Sequence, residues 1–441
     1  MGIKVKLTDE IITSHVGLLY VGNVLKDGEF FASINKVSKI KKRSGFISDY
    51  DILKTMIGLI AIGKPYYDAV DEYRDDIYFK KVLKLKKVPS SAILRQRLDQ
   101  MPKAVMEKLE AYNRNILSGI IDSESVEIGG QNYLLLDFDV TPMDNSNTKK
   151  EGVSKTYKLF DGYAPMFSYV GKSGFIINNQ LREGSAHSNC DGNLEHMSQT
   201  IEMALSIYSG NILVRFDSGN DSIENILMLE NKGRISYVVK RNLRRERKEE
   251  WLSYAKEHAG EKVHIRDGLS SYYALATREI ADEHARGGKR LIKILVVATE
   301  ETIDKKGQNL IFPKISIETY WTNLELPLQE IERLYHDHGT CEQYHSEFKS
   351  DLDMERLPSG KFQTNELLMH LGMLAFNILR LMGKNALKTG KVPGRRGNRL
   401  RIRTILQNFM YMGGHFFDWI KNTQIRVFRK NKWARAYLAI I

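Results

Sequence analysis

The stretch YHDHGTCEQYHSEFK, residues 335–349, places Tyr335, His336, Asp337, His338, Cys341, Glu342, His345, Glu347 and Lys349 within fifteen positions. These side chains can bind metals, move protons or meet phosphate. A zinc site would draw on His336, His338, Cys341 and His345. No CxxC or HExxH accompanies them anywhere in the chain, and a four-ligand zinc knuckle normally uses more cysteine. An oxygen-ligand site would need carboxylates from elsewhere, and two strand-like segments supply them. In YLLLDFDV (133–140) the period of two puts Asp137 and Asp139 on one face, and in NILVRFDSG (211–219) Asp217 closes the strand before a Ser-Gly turn. Carboxylates at strand ends commonly line a ligand crevice, the alternative being a capping role.

Read as a helix at about 100° per residue, the opening stretch puts Tyr335, His338, Glu342 and Lys349 on one face and Glu347 on another. Gly339 interrupts its first turn. Glu342 is then the carboxylate able to join the strand aspartates. Three carboxylates from separate segments suit Mg²⁺ or Mn²⁺. Two such ions about 4 Å apart can activate a nucleophile and stabilise the leaving oxygen in phosphodiester chemistry.

The elements that must position these residues are legible in outline. Residues 1–125 read as mostly helical. ISDYDILKTMIGLIAIG (47–63) has cap-type residues at its start and glycine at its end. SSAILRQRLDQM (90–101) is a short capped helix carrying Arg95 and Arg97, either a DNA recognition helix or a structural one. From about residue 130 the order is β-β-β-α-β-α-β, with a hairpin turning at Gly171 to Gly174. The GKS at 171–173 lies in that turn, and Met166 stands where a phosphate-binding loop needs glycine. Further strands follow to about residue 325. The twenty-residue apolar segment 364–383 carries Asn365, Glu366, His370 and Asn377, which predicts a core helix over a membrane span.

The chain has 441 residues, enough for two or three domains or one core with a large insertion. Two cysteines and no N-terminal apolar stretch predict a cytoplasmic protein. Lysine and arginine total 66 against 54 acids, a net charge of +12 that favours a polyanion partner. The excess concentrates in KRNLRRERK (240–248) and in KTGKVPGRRGNRLRIR (388–403), which includes Arg395, Arg396, Arg399, Arg401 and Arg403. A solvated surface or contacts to DNA phosphates would each account for such clusters.

Asp139 in DFDVT, Asp217 in VRFDSG and Glu342 in the opening stretch resemble the Asp-Asp-Glu triad of bacterial insertion-sequence transposases. Tyr335, His338, Glu342 and Lys349 follow the spacing of the Tyr-x2-Arg-x3-Glu-x6-Lys signature of one superfamily, with histidine in the arginine position. RLPSGKFQTNELLMHLGMLAFNILRL (356–381) is similar to the segment that follows this block in the 1380-type branch. The resemblance runs from about residue 10 to 385.

It implies an α/β fold with a ribonuclease-H-like core, a mixed five-stranded sheet with flanking helices. The core would comprise residues 126–241 and 326–383, split by a β-rich insertion at 242–325. An N-terminal helical domain (1–125) would bind transposon ends, and a basic C-terminal region (384–441) would contact DNA or dimerise. The implied activity is metal-dependent nicking and strand transfer on double-stranded DNA by a homodimer, with two Mg²⁺ or Mn²⁺ per site. Asp139, with Asp137 as its alternative, Asp217 and Glu342 would be the ligands. Tyr335, His338, Lys349, Arg95, Arg97, Arg395 and Arg396 would contact DNA. Trp321, beside Tyr320, would either stack on an unpaired base or pack in the core. The rival functions are a zinc hydrolase and a non-catalytic DNA-binding descendant of a transposase.

Overall fold

In the computed structural model, residues 3–5, 7–38, 47–186, 192–285, 287–394, 397–419 and 422–441 are described. The N-terminal part is mostly helical among the described residues. Helix α1 (Asp49–Ala61) is capped by Ser48, whose Oγ accepts from the Asp51 amide at 3.2 Å, and is buried along nearly its whole length. Helix α2 (Ala104–Ser118) follows after shorter helices and leads into the sheet.

The sheet begins with β1 (Gln131–Val140), β2 (Met166–Val170) and β3 (Phe175–Gln180). It continues through helix α3 (Asn193–Ile207), β4 (Asn211–Phe216), helix α4 (Ile223–Glu230) and β5 (Ile235–Arg241). This is the β-β-β-α-β-α-β order read from the sequence. The run 3-2-1 is antiparallel and the run 1-4-5 is parallel, so these five strands form a mixed sheet. Leu134, Leu136, Phe138, Ile212, Val214 and Phe216 cluster on one face with Met197, Ile201 and Ile226 of α3 and α4.

The β-rich segment does not stand apart. Strands β6 (Glu261–Arg266), β7 (Leu269–Ala281), β8 (Lys289–Ile303) and β9 (Asn309–Thr322) continue the same sheet, in the order 6-7-8-9-5-4-1-2-3. With Val126–Ile128 paired to β1, the sheet has ten strands among the described residues. The join is β9 against β5, antiparallel, with Lys240 opposite Tyr320. Helix α5 (Leu328–His336) then covers the second face through Leu328, Ile331 and Leu334, packed on Leu213, Val238 and Tyr320.

A 3₁₀ turn (Asp337–Thr340) connects α5 to helix α6 (Cys341–Ser346), and a π turn (Glu347–Asp351) follows. Helix α7 (Phe362–Lys388) is long and apolar enough to cross a membrane, yet it is buried within the protein. Its polar residues explain why. Asn377 accepts from the Ile176 amide at 2.9 Å and donates to the Ile176 carbonyl at 2.7 Å, so α7 satisfies the free edge of β3. Asn365 and His370 are likewise buried and hydrogen-bonded.

The chain end returns to its beginning. Gly414–Trp419 pairs with both Ile11–Thr13 and Asn422–Val427, and Tyr437 and Tyr78 both donate to the Val16 carbonyl.

Candidate active site

Parallel pairing of β1 with β4 sets Asp137 opposite Arg215 and Phe138 opposite Phe216. The period of two then carries Asp139 and Asp217 to the next rung on the same face. Arg215 donates to both oxygens of Asp137, at 2.6 and 2.7 Å, and to the Leu334 carbonyl of α5 at 2.7 Å. A charged residue in the apolar run ILVRF is thus the strut joining two strands to the helix above them.

Asp139, Asp217 and Glu342 line one cleft of about 730 Å³, together with Tyr335, His338, His345, Lys349, Tyr157, Lys158 and Glu355. The four residues of the predicted helical face all reach it, although the backbone passes from α to 3₁₀ to α to π along the way. Glu347, placed on another face, is buried and holds Arg380 at 3.0 Å and Arg399.

The two β1 aspartates differ sharply. Asp137 is fully engaged: burial opposes its charge, but Arg215 and His338 hold its carboxyl down at about 2. Asp139 faces the cleft and accepts from His345 Nε2 at 3.0 Å; the other ring nitrogen of His345 meets the Tyr169 hydroxyl at 2.9 Å. Burial opposes the charge of Asp139, and His345 outweighs it, so the carboxyl lies below its ordinary value. Asp217 is raised, by burial first and then by the Asp139 carboxylate. Two like charges in one half-buried cleft are an arrangement that a divalent cation relieves, so the donor set fits a hard cation.

His338 turns inward. Its Nδ1 lies 3.3 Å from Asp137, and burial, which would lower its pKa, is overcome by that carboxylate, so the ring is held above its ordinary value. The four residues of the zinc reading separate. His336 sits 3.6 Å from Glu332 and 3.7 Å from Glu318, His345 belongs to Asp139, and only His338 and Cys341 meet, beside Asp137. Asp137, His338 and Cys341 bring ligand atoms within 4.8 Å of one another. A cation there would share its carboxylate with the resident Arg215 charge.

Several residues expected at DNA are committed elsewhere. Arg97 is only 8% exposed, ion-paired with Asp49 and bonded to the Ile47 carbonyl at 2.8 Å, so it is a core strut and not a DNA contact. Its neighbour Arg95 is exposed over the Tyr67 ring. Trp321 is 1% exposed and donates to Asp221 at 2.8 Å, so core packing, not base stacking, is its place. Arg395 and Arg396 lie outside the described residues. Their neighbours Arg399, Arg401 and Arg403 grip the acids Glu347 and Asp351 of the π turn. Lys349 donates to the Pro142 carbonyl at 3.0 Å and lies 3.6 Å from Glu355. The GKS turn is bound to the buried Glu124, which accepts from the Ser173 amide at 2.8 Å.

Sequence reasoning gave no role to Arg215 or Tyr157, and none to His345 beyond the zinc set. The signals were a cation inside a buried strand and a histidine three positions after Glu342.

A family model described as "Transposase DDE domain group 1" matches residues 2–406. The chain belongs to that family. Family membership supports DNA transposase activity, implies use of a divalent metal and makes DNA the partner. A solved structure, the cryo-EM structure of a piggyBac transposase synaptic complex with hairpin DNA, is similar at 10% identity, over 92% of this chain and 82% of that one, with a TM-score of 0.46. No curated protein matches this transposase-family chain.

Proposed function

We propose that the chain nicks DNA at the ends of an insertion sequence and joins those ends to a target, with Asp139, Asp217 and Glu342 as the catalytic carboxylates. The observation that carries the reading is the convergence of these three, from a strand, a strand end and a helix, on one cleft in a chain of this family. They would hold two Mg²⁺ or Mn²⁺. Bound there, such ions supply activation of the attacking oxygen and stabilisation of the leaving one.

In the first step a water oxygen attacks phosphorus, the bond from phosphorus to the 3′ oxygen breaks, and a 3′-hydroxyl is released. In the second, that hydroxyl attacks a target phosphodiester and displaces the target's own 3′-hydroxyl. Lys158 lines the cleft as a cation for phosphate oxygens, Lys349 is held at the cleft by the Pro142 carbonyl, and Tyr335 forms part of its wall. His345 fixes the orientation of Asp139, and Arg215 holds β1 and β4 in the register that sets Asp139 beside Asp217.

The five strands in the order 3-2-1-4-5 support a ribonuclease-H-like core, extended by an insertion on the β5 edge. The Tyr335-to-Lys349 spacing supports a place in the Tyr-Arg-Glu-Lys superfamily, in a branch like the 1380-type. Transposon-end binding by the N-terminal helices, homodimeric synapsis and a cytoplasmic location complete the reading.

The test uses the full chain and DNA carrying the sequences that flank its gene. Wild type should nick in Mg²⁺ or Mn²⁺, whereas Asp139→Asn, Asp217→Asn and Glu342→Gln should bind that DNA without nicking it. Nicking by Glu342→Gln at the wild-type rate would overturn the assignment.

A further inference from the structure

The segment that supplies Glu342 carries three histidines, and they are not equivalent. His336 is exposed, beside Glu318 and Glu332. His345 is buried with both ring nitrogens engaged, one by Asp139 and one by the Tyr169 hydroxyl. His338 is buried too, at 7% exposure, but only one of its nitrogens is engaged. Nδ1 lies 3.3 Å from Asp137 and 3.7 Å from Cys341 Sγ. Nε2 is buried and, among the described residues, has no hydrogen-bond partner. Such an atom calls for a partner that the fold itself does not supply.

The surroundings say what kind of partner. Asp137 is ionised, so the Nδ1 that faces it carries a proton, and Nε2 is the nitrogen with a lone pair in the neutral ring. The two nitrogens point away from each other. With Nδ1 turned to Asp137, the Nε2 edge is the part of the ring left for the cleft, which His338 lines with Asp139, Asp217 and Glu342. The ring is near enough to Asp139 and Asp217 for its charge to act on both.

A carboxylate on one ring nitrogen and a lone pair on the other is the arrangement by which proteins orient a metal-binding histidine. Here the orienting carboxylate is itself fixed. Arg215 grips both oxygens of Asp137 and is anchored to the Leu334 carbonyl of α5. That ion pair also disfavours a cation on the Nδ1 side, where the remaining donor is the Cys341 thiol, pushed up by burial. The open side of the ring is Nε2.

We propose that His338 Nε2 is a nitrogen ligand to a divalent ion in the cleft, joining the carboxylates of Asp139, Asp217 and Glu342, with Asp137 as the residue that positions the ring. This rests on the reading that those carboxylates hold divalent cations. On binding, Nε2 gives up the proton it carries in the metal-free chain, while Nδ1 keeps its own. An arginine, which the signature has at this position, could not serve, because a guanidinium has no lone pair to give. An imidazole ligand favours first-row transition ions over Mg²⁺, which takes oxygen. This chain should therefore hold Mn²⁺ against Mg²⁺ better than carboxylates alone would.

The experiment is pulsed EPR of Mn²⁺ bound to the full chain. Wild type should show a coupling from directly bound nitrogen, which should shift when its histidines carry the heavier nitrogen isotope. Asp217→Asn should lose the bound Mn²⁺, which places the signal in the cleft. His338→Gln, with a circular dichroism spectrum like wild type, should bind Mn²⁺ without the nitrogen coupling and release it at a lower Mg²⁺ concentration. His345→Gln should keep the coupling. Bound Mn²⁺ without nitrogen coupling in wild type needs no variant to fold and overturns the inference. A coupling that persists in His338→Gln, or disappears in His345→Gln, overturns it as well. Each of these outcomes leaves the carboxylate reading intact, whereas a chain that binds no Mn²⁺ overturns both.

Discussion

Asp137 and Arg215 face each other across β1 and β4, joined by hydrogen bonds of 2.6 and 2.7 Å, and each stands two residues before a carboxylate of the cleft. Removing either partner leaves the other's buried charge without its main counter-ion. Arg215→Met or Asp137→Ala should each cost about 3–5 kcal/mol in urea unfolding, whereas the paired change Asp137→Leu with Arg215→Met should recover most of it. Single variants as stable as wild type would show that the pair is not the strut between the strands.

Asp217 carries a different signature. Burial and the nearby Asp139 raise its pKa, so the folded chain holds that proton more tightly than the unfolded one. Ionised Asp217 therefore costs stability at neutral pH, and the cost disappears as pH falls toward the ordinary carboxylate range near ~4. Asp217→Asn should melt higher than wild type in EDTA. Added Mn²⁺ should raise the melting temperature of wild type and leave that of Asp217→Asn nearly unchanged. An equal Mn²⁺ effect on both would remove Asp217 from the ligand set.

His338 gives a prediction of opposite sign. Its folded pKa is raised by Asp137, so its contribution is fully present below the unfolded value near ~6.5 and is lost as pH rises through the higher folded one. Asp137 remains ionised throughout that range. The stability of wild type relative to His338→Gln should therefore decline as pH rises from about 6.5. A constant difference across that range would mean the ring is neutral in the fold.

Arg399, Arg401 and Arg403, paired with Glu347 and Asp351, are expected to be silent toward DNA. Arg401 donates to both oxygens of Asp351, at 2.8 and 3.1 Å. A phosphate contact contributes about 0.9 to the slope of log affinity against log salt. Arg401→Gln should leave that slope unchanged, lower the melting temperature and slow nicking, because it loosens the turn that follows Glu342. A slope reduced by about one unit would reassign Arg401 to the DNA surface.

What could be read from the sequence was local. Periodicity gave the strand bearing Asp139, the hairpin with the GKS turn and the buried helix now seen as α7, and spacing gave a helical face whose four residues all reach the cleft. Pairings across long sequence separations were not readable. Arg399 looked open to solvent or phosphate because its acid, Glu347, lies 52 positions away, and Arg97 looked like a DNA contact because Asp49 lies 48 positions away. Trp321 was ambiguous for the same reason, its acceptor Asp221 lying 100 positions upstream. Asp137 and Asp139 were indistinguishable by period alone; the partner on β4 separates them.

The join between β9 and β5 has a consequence for how this chain can be shortened. Among the described residues, Val238–Arg241 find their outer strand partners in Thr319–Thr322. The β6–β9 segment is thus not a detachable module. Trimming it back to a loop would leave the strand after Asp217 with a raw edge, a template for pairing with another chain. A minimal version of the protein would have to retain at least one replacement strand there, however little of the rest of β6–β9 it kept.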